Sequence, residues 1–251
     1  MDSQEVSREF ANKNPLPKLI DAEQVCGGWV KKYILHYEMP DGREYCYDSA
    51  SRKDREAYLE ELRTNAEGGN KGTTADAVCI VPVTEDRRLV MIKEFRYPLN
   101  SYCIAFPAGL VEQGEDLVES AARELEEETG YAMLRHEDGS PCVRLLPQAG
   151  YSSAGMSAET VHIMYARVEN EPSSDQHTEE NELIQVFTLP IGQVADFLVS
   201  NTTPIGTRAQ LILDTFLSSK ALAEEISTEE ELCDDETDAQ DETNDLSKID
   251  E

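Results

Sequence analysis

The stretch from Gly109 to Tyr131 constrains the fold of this 251-residue chain more than any other. It reads GLVEQGEDLVESAARELEEETGY, a pattern that predicts a loop followed by a helix. Asp116 is placed to cap the helix N-terminus and Gly130 to end the helix, because short polar side chains and glycine are favoured at these positions. An apolar stripe with helical spacing is formed by Leu117, Ala121 and Leu125.

The same stretch carries a cluster of glutamates. Glu124 and Glu128 lie four residues apart, so their carboxylates share one helix face, and Glu127 lies beside them. A run of glutamates usually marks a solvated surface, but like charges at this spacing destabilise a helix unless a cation offsets them. Carboxylate oxygens held close together suit Mg²⁺ or Mn²⁺. The sequence therefore predicts a divalent metal site on this helix.

At these residues the sequence resembles the signature of the Nudix hydrolases. The fixed positions of that signature are occupied by Gly109, Glu115, Arg123, Glu124, Leu125, Glu127, Glu128, Gly130 and Tyr131. The family cleaves nucleoside diphosphates linked to another moiety and uses divalent cations. The resemblance implies an α/β fold, a Nudix-type α/β/α sandwich around a mixed sheet, preceded here by a small N-terminal β-sheet segment.

The resemblance also implies roles for individual residues of the signature. The implied metal ligands are the carbonyl of Ala108 and the carboxylates of Glu124, Glu127 and Glu128. Glu115 and Arg123 are implied to form a salt bridge that orients the loop beginning at Gly109 on the helix. The implied cofactor is Mg²⁺, for which Mn²⁺ can substitute.

Further segments resemble the ADP-ribose or ADP-sugar pyrophosphatase branch of the family. They are WVKKYILHYEMPDGREYCYDSASR (29–52), KEFRYP (93–98), YCIAFPAGLVEQGE (102–115), ETVHIMYARV (159–168) and ENELIQV (180–186). In that branch the adenine stacks on aromatic side chains, which implies Trp29 and Tyr47, and arginines hold the phosphates, which implies Arg52 and Arg96. Gly155, in a glycine- and serine-rich loop, completes the implied substrate-binding residues. Aromatic faces suit a purine, and guanidinium groups match a diphosphate bidentately.

Two glutamates ahead of a late strand are the candidates for the general base. In the branch a glutamate of this loop enters the site as a base or as an extra metal ligand, which implies Glu180 or Glu182, and both stay open. The expected catalytic carboxylates are Glu182, Glu180 and Glu127. The implied reaction is hydrolysis of ADP-ribose or a related ADP-sugar to AMP and a sugar phosphate. The alternatives are a Nudix enzyme for another nucleoside diphosphate derivative and a non-catalytic nucleotide-sensing module.

Composition divides the chain into four predicted segments. Residues 1–16 are polar and predicted to be flexible. Residues 17–72 hold a β segment, with a hairpin from Gln24 to Asp48, and a helical insertion. Residues 73–223 form the predicted Nudix hydrolase domain. Residues 224–251 are an acidic tail with too few apolar residues to fold, and they are predicted to be disordered.

Charge and cysteine usage narrow the partners and the location. The net charge is −29, of which −13 belongs to residues 223–251 and −16 to the rest. A body this acidic argues against nucleic acid and anionic membranes as partners. The six cysteines are scattered and form no C-x-x-C motif, so they are predicted to be reduced thiols that are buried or half-buried. Since the sequence also has no apolar run of membrane-spanning length, the predicted location is the cytoplasm or nucleus. The resembling enzymes are homodimers that share their N-terminal sheets, so a homodimer is expected.

Overall fold

A computed structural model describes residues 15–67, 75–112, 114–178 and 180–217. The chain forms two compact units. Unit 1 comprises Met1–Val81, Ala108–Leu125 and Arg135–Ala166, and unit 2 comprises Pro82–Pro107, Glu126–Leu134 and Arg167–Glu251. The acidic tail and residues 1–14 lie outside the described residues, so the expectations for them stay predictions.

The N-terminal part of unit 1 is a three-stranded antiparallel sheet. Its strands are β1 (Lys18–Cys26), β2 (Lys31–Glu38) and β3 (Glu44–Ser51), in the order β1-β2-β3. The turn between β2 and β3 contains Gly42 at φ 82°, a backbone conformation that glycine adopts without steric cost. The predicted hairpin is therefore present, but a third strand precedes it. Most side chains of β1 are exposed, so its sequence lacks the apolar alternation that would have revealed the strand.

The predicted helical insertion contains α1 (Arg55–Ala66), which also belongs to unit 1. The side chain of Asp54 caps it by accepting a hydrogen bond from the N–H of Ala57. Tyr58 and Leu59 are buried on one side of the helix. They join a hydrophobic cluster that contains Ala22, Tyr33, Leu35 and Ala158. The helix thereby covers the N-terminal sheet, because its apolar side chains pack against those of β1 and β2.

An eight-stranded sheet carries the rest of the fold. Its strands are β4 (Ala77–Thr84), β5 (Arg88–Arg96), β6 (Ser101–Ala105), β7 (Ala108–Leu110), β8 (Val143–Leu145), β9 (Gly150–Tyr151), β10 (Thr160–Val168) and β11 (Ile184–Pro190). Hydrogen bonds link them in the order β11-β5-β4-β10-β8, with β6 paired to β5, β7 to β4 and β9 to β10. Strands β4 and β5 read as nearly continuous apolar runs because both are buried along most of their length. The predicted α/β fold with a mixed sheet and a small N-terminal sheet is confirmed.

The described residues hold three further α-helices, which are α2 (Leu117–Thr129), α3 (Val194–Ser200) and α4, described over 207–217. Asp116 caps α2 as predicted, since its Oδ1 accepts a 2.8 Å hydrogen bond from the N–H of Val118. Gly130 follows α2 at φ 75°. Within the described ranges, no helix has the length and apolar character needed to cross a bilayer. Cys26 and Cys46 are exposed, so the expectation of buried or half-buried thiols was wrong for these two positions on the N-terminal sheet.

Candidate active site

The loop before α2 is tied to the helix by an ion pair within unit 1. Arg123 Nη2 lies 3.1 Å from Glu115 Oε2, and Arg123 Nη1 lies 2.8 Å from Glu124 Oε1. The hydroxyl of Ser120 also donates to Glu115. Hydrogen bonds from Arg123 and Ser120 lower the pKa of Glu115 from 4.5 to about 2. Glu115 therefore stays ionised at any physiological pH, and the expected pair between Glu115 and Arg123 is present.

Gly109 lies where a side chain has no room. It pairs with Val78 across β7 and β4, and a Cβ at this position would overlap the carboxyl group of Glu124. A glycine is therefore needed for the Glu124 carboxylate to lie against the backbone of β7. This close approach gives a physical reason for the glycine that opens the signature.

The three candidate metal carboxylates lie on the last two turns of α2. The side chain of Glu124 is 16% exposed, Glu127 is half-buried and Glu128 is buried. Their oxygen chemistry fits a divalent cation such as Mg²⁺. Among the described residues, however, no three His, Cys, Asp or Glu side chains are gathered closely enough to hold a metal. Like charges repel at this spacing, and Arg123 holds one oxygen of Glu124, so the predicted ligands do not form a closed cage.

Within unit 2, the C-terminal end of α2 is held by residues 173–177. The N–H of His177 donates to the carbonyl of Glu127 at 2.8 Å, and Gln176 Nε2 donates to the carbonyl of Glu128 at 2.6 Å. The N–H of Ser173 donates to the carbonyl of Gly130 at 2.9 Å. These bonds satisfy carbonyls that the helix end leaves without intrahelical partners. The segment therefore positions the backbone of both glutamates.

A cavity of about 930 Å³ in unit 1 brings together two of the predicted substrate-binding residues, Trp29 and Arg52. We call it the Trp29 cavity. Trp29 is 73% exposed. Arg52 forms an ion pair with Glu159, and Glu159 also lines the cavity. The cavity is further lined by Ser51, Lys53, Glu61, Asp76, Ser152, Ser153, Met156 and Ser157. Sequence reasoning missed Glu159 as the partner of Arg52 because the two residues are far apart in the chain.

Charged side chains on one wall of the Trp29 cavity form a second network. Lys53 Nζ lies 2.8 Å from Asp76 Oδ1 and 2.6 Å from Glu61 Oε1. Burial favours the neutral form of Asp76, but hydrogen bonds from Lys53 and Thr160 outweigh it, so the pKa of Asp76 is lowered. Burial opposes the charge of Lys53, yet the two carboxylates beside it raise its pKa. Among the described residues, Lys53 thus pairs with two carboxylates and Arg52 with the single carboxylate of Glu159, which makes Arg52 the better placed cation for an anionic ligand.

Tyr47 does not line the Trp29 cavity. Its hydroxyl donates a 2.7 Å hydrogen bond to the carbonyl of Gly155, and its ring lines a second cavity of unit 1, of about 440 Å³. We call this second space the tyrosine cavity. Met156 and Ser157 line both cavities. Tyr47 and Gly155 therefore shape the loop that separates the two spaces, rather than lying beside Trp29.

Arg96 lies with two carboxylates in unit 2. Arg96 Nη2 is 2.8 Å from Glu94 Oε2, two residues away on the same face of β5. Glu94 is 9% exposed, and its Oε2 has no hydrogen-bond partner among the described residues, so the contact is an ion pair. Burial and the nearby charge of Glu182 raise the pKa of Glu94. The charge of Arg96 lowers it, but the net shift is upward. Sequence reasoning overlooked Glu94, although it belongs to the KEFRYP segment that marked Arg96.

The loop with the two candidate bases is fixed beside β5. The N–H of Phe95 donates to the carbonyl of Leu183 at 3.1 Å, and the hydroxyl of Tyr97 donates to the carbonyl of Asn181 at 3.1 Å. Glu180 is exposed, whereas Glu182 is half-buried and electrostatically coupled to Glu94. Because burial restricts a side chain, the position of the Glu182 carboxylate is better defined than that of Glu180.

Comparison with known proteins identifies the family. The NUDIX domain matches residues 73–205, which is more than half of the chain. The chain belongs to the Nudix family. This Nudix hydrolase is 28% identical over 227 residues to an ADP-sugar pyrophosphatase of Mus musculus, covering 86% of this chain and 92% of that protein. It is 32% identical over 175 residues to an ADP-ribose pyrophosphatase of Bacillus subtilis, covering 69% and 78% respectively.

A solved structure supports the fold independently. The crystal structure of an ADP compounds hydrolase is similar to this Nudix hydrolase with a TM-score of 0.62. The match covers 85% of this chain and 98% of the other, at 20% sequence identity. At this identity the likeness establishes the Nudix fold and leaves the substrate to other arguments.

Proposed function

We propose that this Nudix hydrolase cleaves the diphosphate of ADP-ribose or a related ADP-sugar to give AMP and a sugar phosphate. The observation that carries the proposal is the Trp29 cavity, which combines an exposed indole face with the guanidinium group of Arg52. A purine stacks on the first, and a diphosphate binds the second bidentately. Relatives named ADP-sugar pyrophosphatase and ADP-ribose pyrophosphatase support the same substrate class.

The protein groups around the Trp29 cavity suggest how the substrate is held. Arg52 exchanges part of its contact with Glu159 for the diphosphate, because both anions compete for one guanidinium. Tyr47 and Gly155 act by holding the loop of Ser152 to Ser157, which lines the cavity. Arg96, whose side chain is 47% exposed, is proposed as a second phosphate arm.

The proposed metal ligands are the carbonyl of Ala108 and the carboxylates of Glu124, Glu127 and Glu128. Mg²⁺ bound there, or Mn²⁺ in its place, would offset the negative charge of the diphosphate and acidify a water molecule. The position of all three carboxylates on the last two turns of one helix favours this role, since carboxylate oxygens are preferred ligands of Mg²⁺. The pair of Glu115 and Arg123 keeps the loop in place beside these residues.

Glu182 is proposed as the general base, with Glu180 as the other candidate, and Glu127 is a proposed catalytic carboxylate on α2. The base takes a proton from the attacking water while the water oxygen bonds to phosphorus and the bridging P–O bond breaks. The charge of Glu182 raises the pKa of the buried Glu94, so Glu182 lies near a second carboxyl group.

A substrate panel tests the proposed activity. With Mg²⁺ present, ADP-ribose should show a higher kcat/KM than GDP-mannose or a nucleoside triphosphate, because Trp29 and Arg52 provide a purine platform beside a diphosphate site. Chromatography that resolves AMP from the sugar phosphate measures the outcome. A higher kcat/KM for GDP-mannose or for a triphosphate than for ADP-ribose would refute the ADP-sugar assignment and leave the family membership intact.

We further propose that the enzyme is a homodimer formed through its N-terminal sheet. Strand β1 exposes Ile20 and Val25, and the connection from β1 to β2 exposes Trp29 and Val30. Each of these residues is at least half exposed, and apolar surface of this kind is typical of an interface. Light scattering at micromolar concentration should give twice the chain mass. A single-chain mass with full activity would contradict the proposal. None of the five described cysteines is in a disulfide, which supports a cytoplasmic or nuclear location.

A further inference from the structure

The tyrosine cavity is built from three parts of unit 1. Alternate residues of β3, namely Tyr45, Tyr47 and Ser49, project from one face of the N-terminal sheet, next to Leu35 and Tyr37 of β2. Residues Tyr58, Leu62 and Asn65 follow one another at helical spacing on α1. The loop from Tyr151 to Ala158 completes the lining. The cavity thus depends on α1, which lies in the segment that the sequence marked as an insertion.

Five tyrosine rings line this space, and the hydroxyls of two of them are hydrogen-bonded to other protein groups. The hydroxyl of Tyr58 shares a 2.6 Å hydrogen bond with Ser49, and that of Tyr47 donates to the carbonyl of Gly155. Tyr45 and Tyr151 are 51% and 46% exposed, and the rings of Tyr45 and Tyr47 lie 6.4 Å apart in a tilted arrangement. Because aromatic faces prefer to stack on other flat rings, the lining favours a planar aromatic ligand.

The side chain of Asn65 supplies an amide to the lining. Asn65 Oδ1 is buried and accepts no hydrogen bond from any described residue. A buried acceptor without a hydrogen bond has lost its contact with water and gained nothing in return, so a donor supplied by a ligand would be stabilising. Ser49 is already engaged, since its hydroxyl contacts both Tyr58 and the carbonyl of Met156. Asn65 therefore offers a ligand a buried acceptor that no described residue uses.

We propose that the tyrosine cavity is a second ligand site, which binds a flat aromatic molecule carrying an N–H donor for Asn65. Its volume of about 440 Å³ lies within the range of small-molecule sites. It is separate from the Trp29 cavity, where the substrate is proposed to bind, and shares with it only the wall of Met156 and Ser157. A ligand here would contact Met156 and Ser157, which also line the substrate cavity.

A matched pair of probes tests the site on the full chain. Indole and benzofuran are flat bicyclic molecules of the same size, but only indole has an N–H donor. In NMR shift titrations, indole should bind about threefold to tenfold more tightly, which corresponds to one net hydrogen bond. Asn65→Leu should remove this difference, and Asn65→Asp, which keeps an acceptor oxygen, should restore it.

Two aromatic variants separate this site from the substrate cavity. Tyr45→Ala should weaken the binding of both probes by about fivefold or more, because a stacking face is lost. Trp29→Ala should leave indole binding unchanged while it weakens ADP-ribose binding. Equal affinities for indole and benzofuran in the unmodified protein, or indole binding that depends on Trp29 and not on Tyr45, would overturn the proposal. Neither result bears on whether ADP-ribose is hydrolysed.

Discussion

Glu128→Gln is expected to lower kcat/KM for ADP-ribose by about 10²–10⁴-fold, the scale of removing a principal electrostatic contributor to catalysis. Glutamine keeps the shape of the side chain, and Glu128 is only 6% exposed, so packing around it is preserved. The substitution removes one negative charge from the proposed metal ligands. The loss should therefore appear in turnover and in metal binding, while the melting temperature changes little.

Glu126→Gln is the matched control for this prediction. Glu126 lies on the same helix, is exposed, and occupies the variable position of the signature, so the same charge change should leave activity near that of the unmodified enzyme. Titration with Mn²⁺, followed by electron paramagnetic resonance, measures metal affinity without turnover. If Glu128→Gln retained normal turnover and normal Mn²⁺ affinity at limiting metal, Glu128 would not be a ligand.

Local features of the site could be predicted from the sequence because short-range geometry determines them. The helix that carries the glutamates, its cap at Asp116 and its end at Gly130 all follow from spacing and residue type within one short stretch. The ion pair of Glu115 and Arg123 joins residues only eight apart. The strands β4 and β5 could also be predicted, because burial on both faces gives them nearly continuous apolar sequences.

Long-range placement could not be predicted in the same way. Arg52 meets Glu159, and Tyr47 meets Gly155, across more than a hundred residues, so neither contact leaves a local pattern. The separation of Tyr47 from Trp29 into different cavities depends on the register of the N-terminal sheet and on α1. Aromatic residues in one sequence segment therefore indicate a binding region, but not which of them share a pocket.

Gly130→Ala is expected to destabilise the enzyme by about 2–5 kcal/mol and to lower its melting temperature by about 5–15 °C. Two costs combine. Gly130 has φ 75°, a conformation that is strained for alanine, and an added Cβ would overlap the carbonyl oxygen of Ser174. That oxygen belongs to backbone that hydrogen-bonds back to Gly130, so it cannot move without breaking the contacts that hold the end of α2. Differential scanning calorimetry measures the shift.

Gly139→Ala separates the two costs. Gly139 has φ 83°, close to that of Gly130, but nothing lies within 4 Å of an added Cβ. Alanine at this exposed turn should therefore cost only the conformational part, about 1–2 kcal/mol. Equal shifts for the two variants would show that the segment of Ser173 and Ser174 yields easily. A much larger shift for Gly130→Ala would show that this segment holds the glutamate helix rigidly, as the hydrogen bonds to Gly130 indicate.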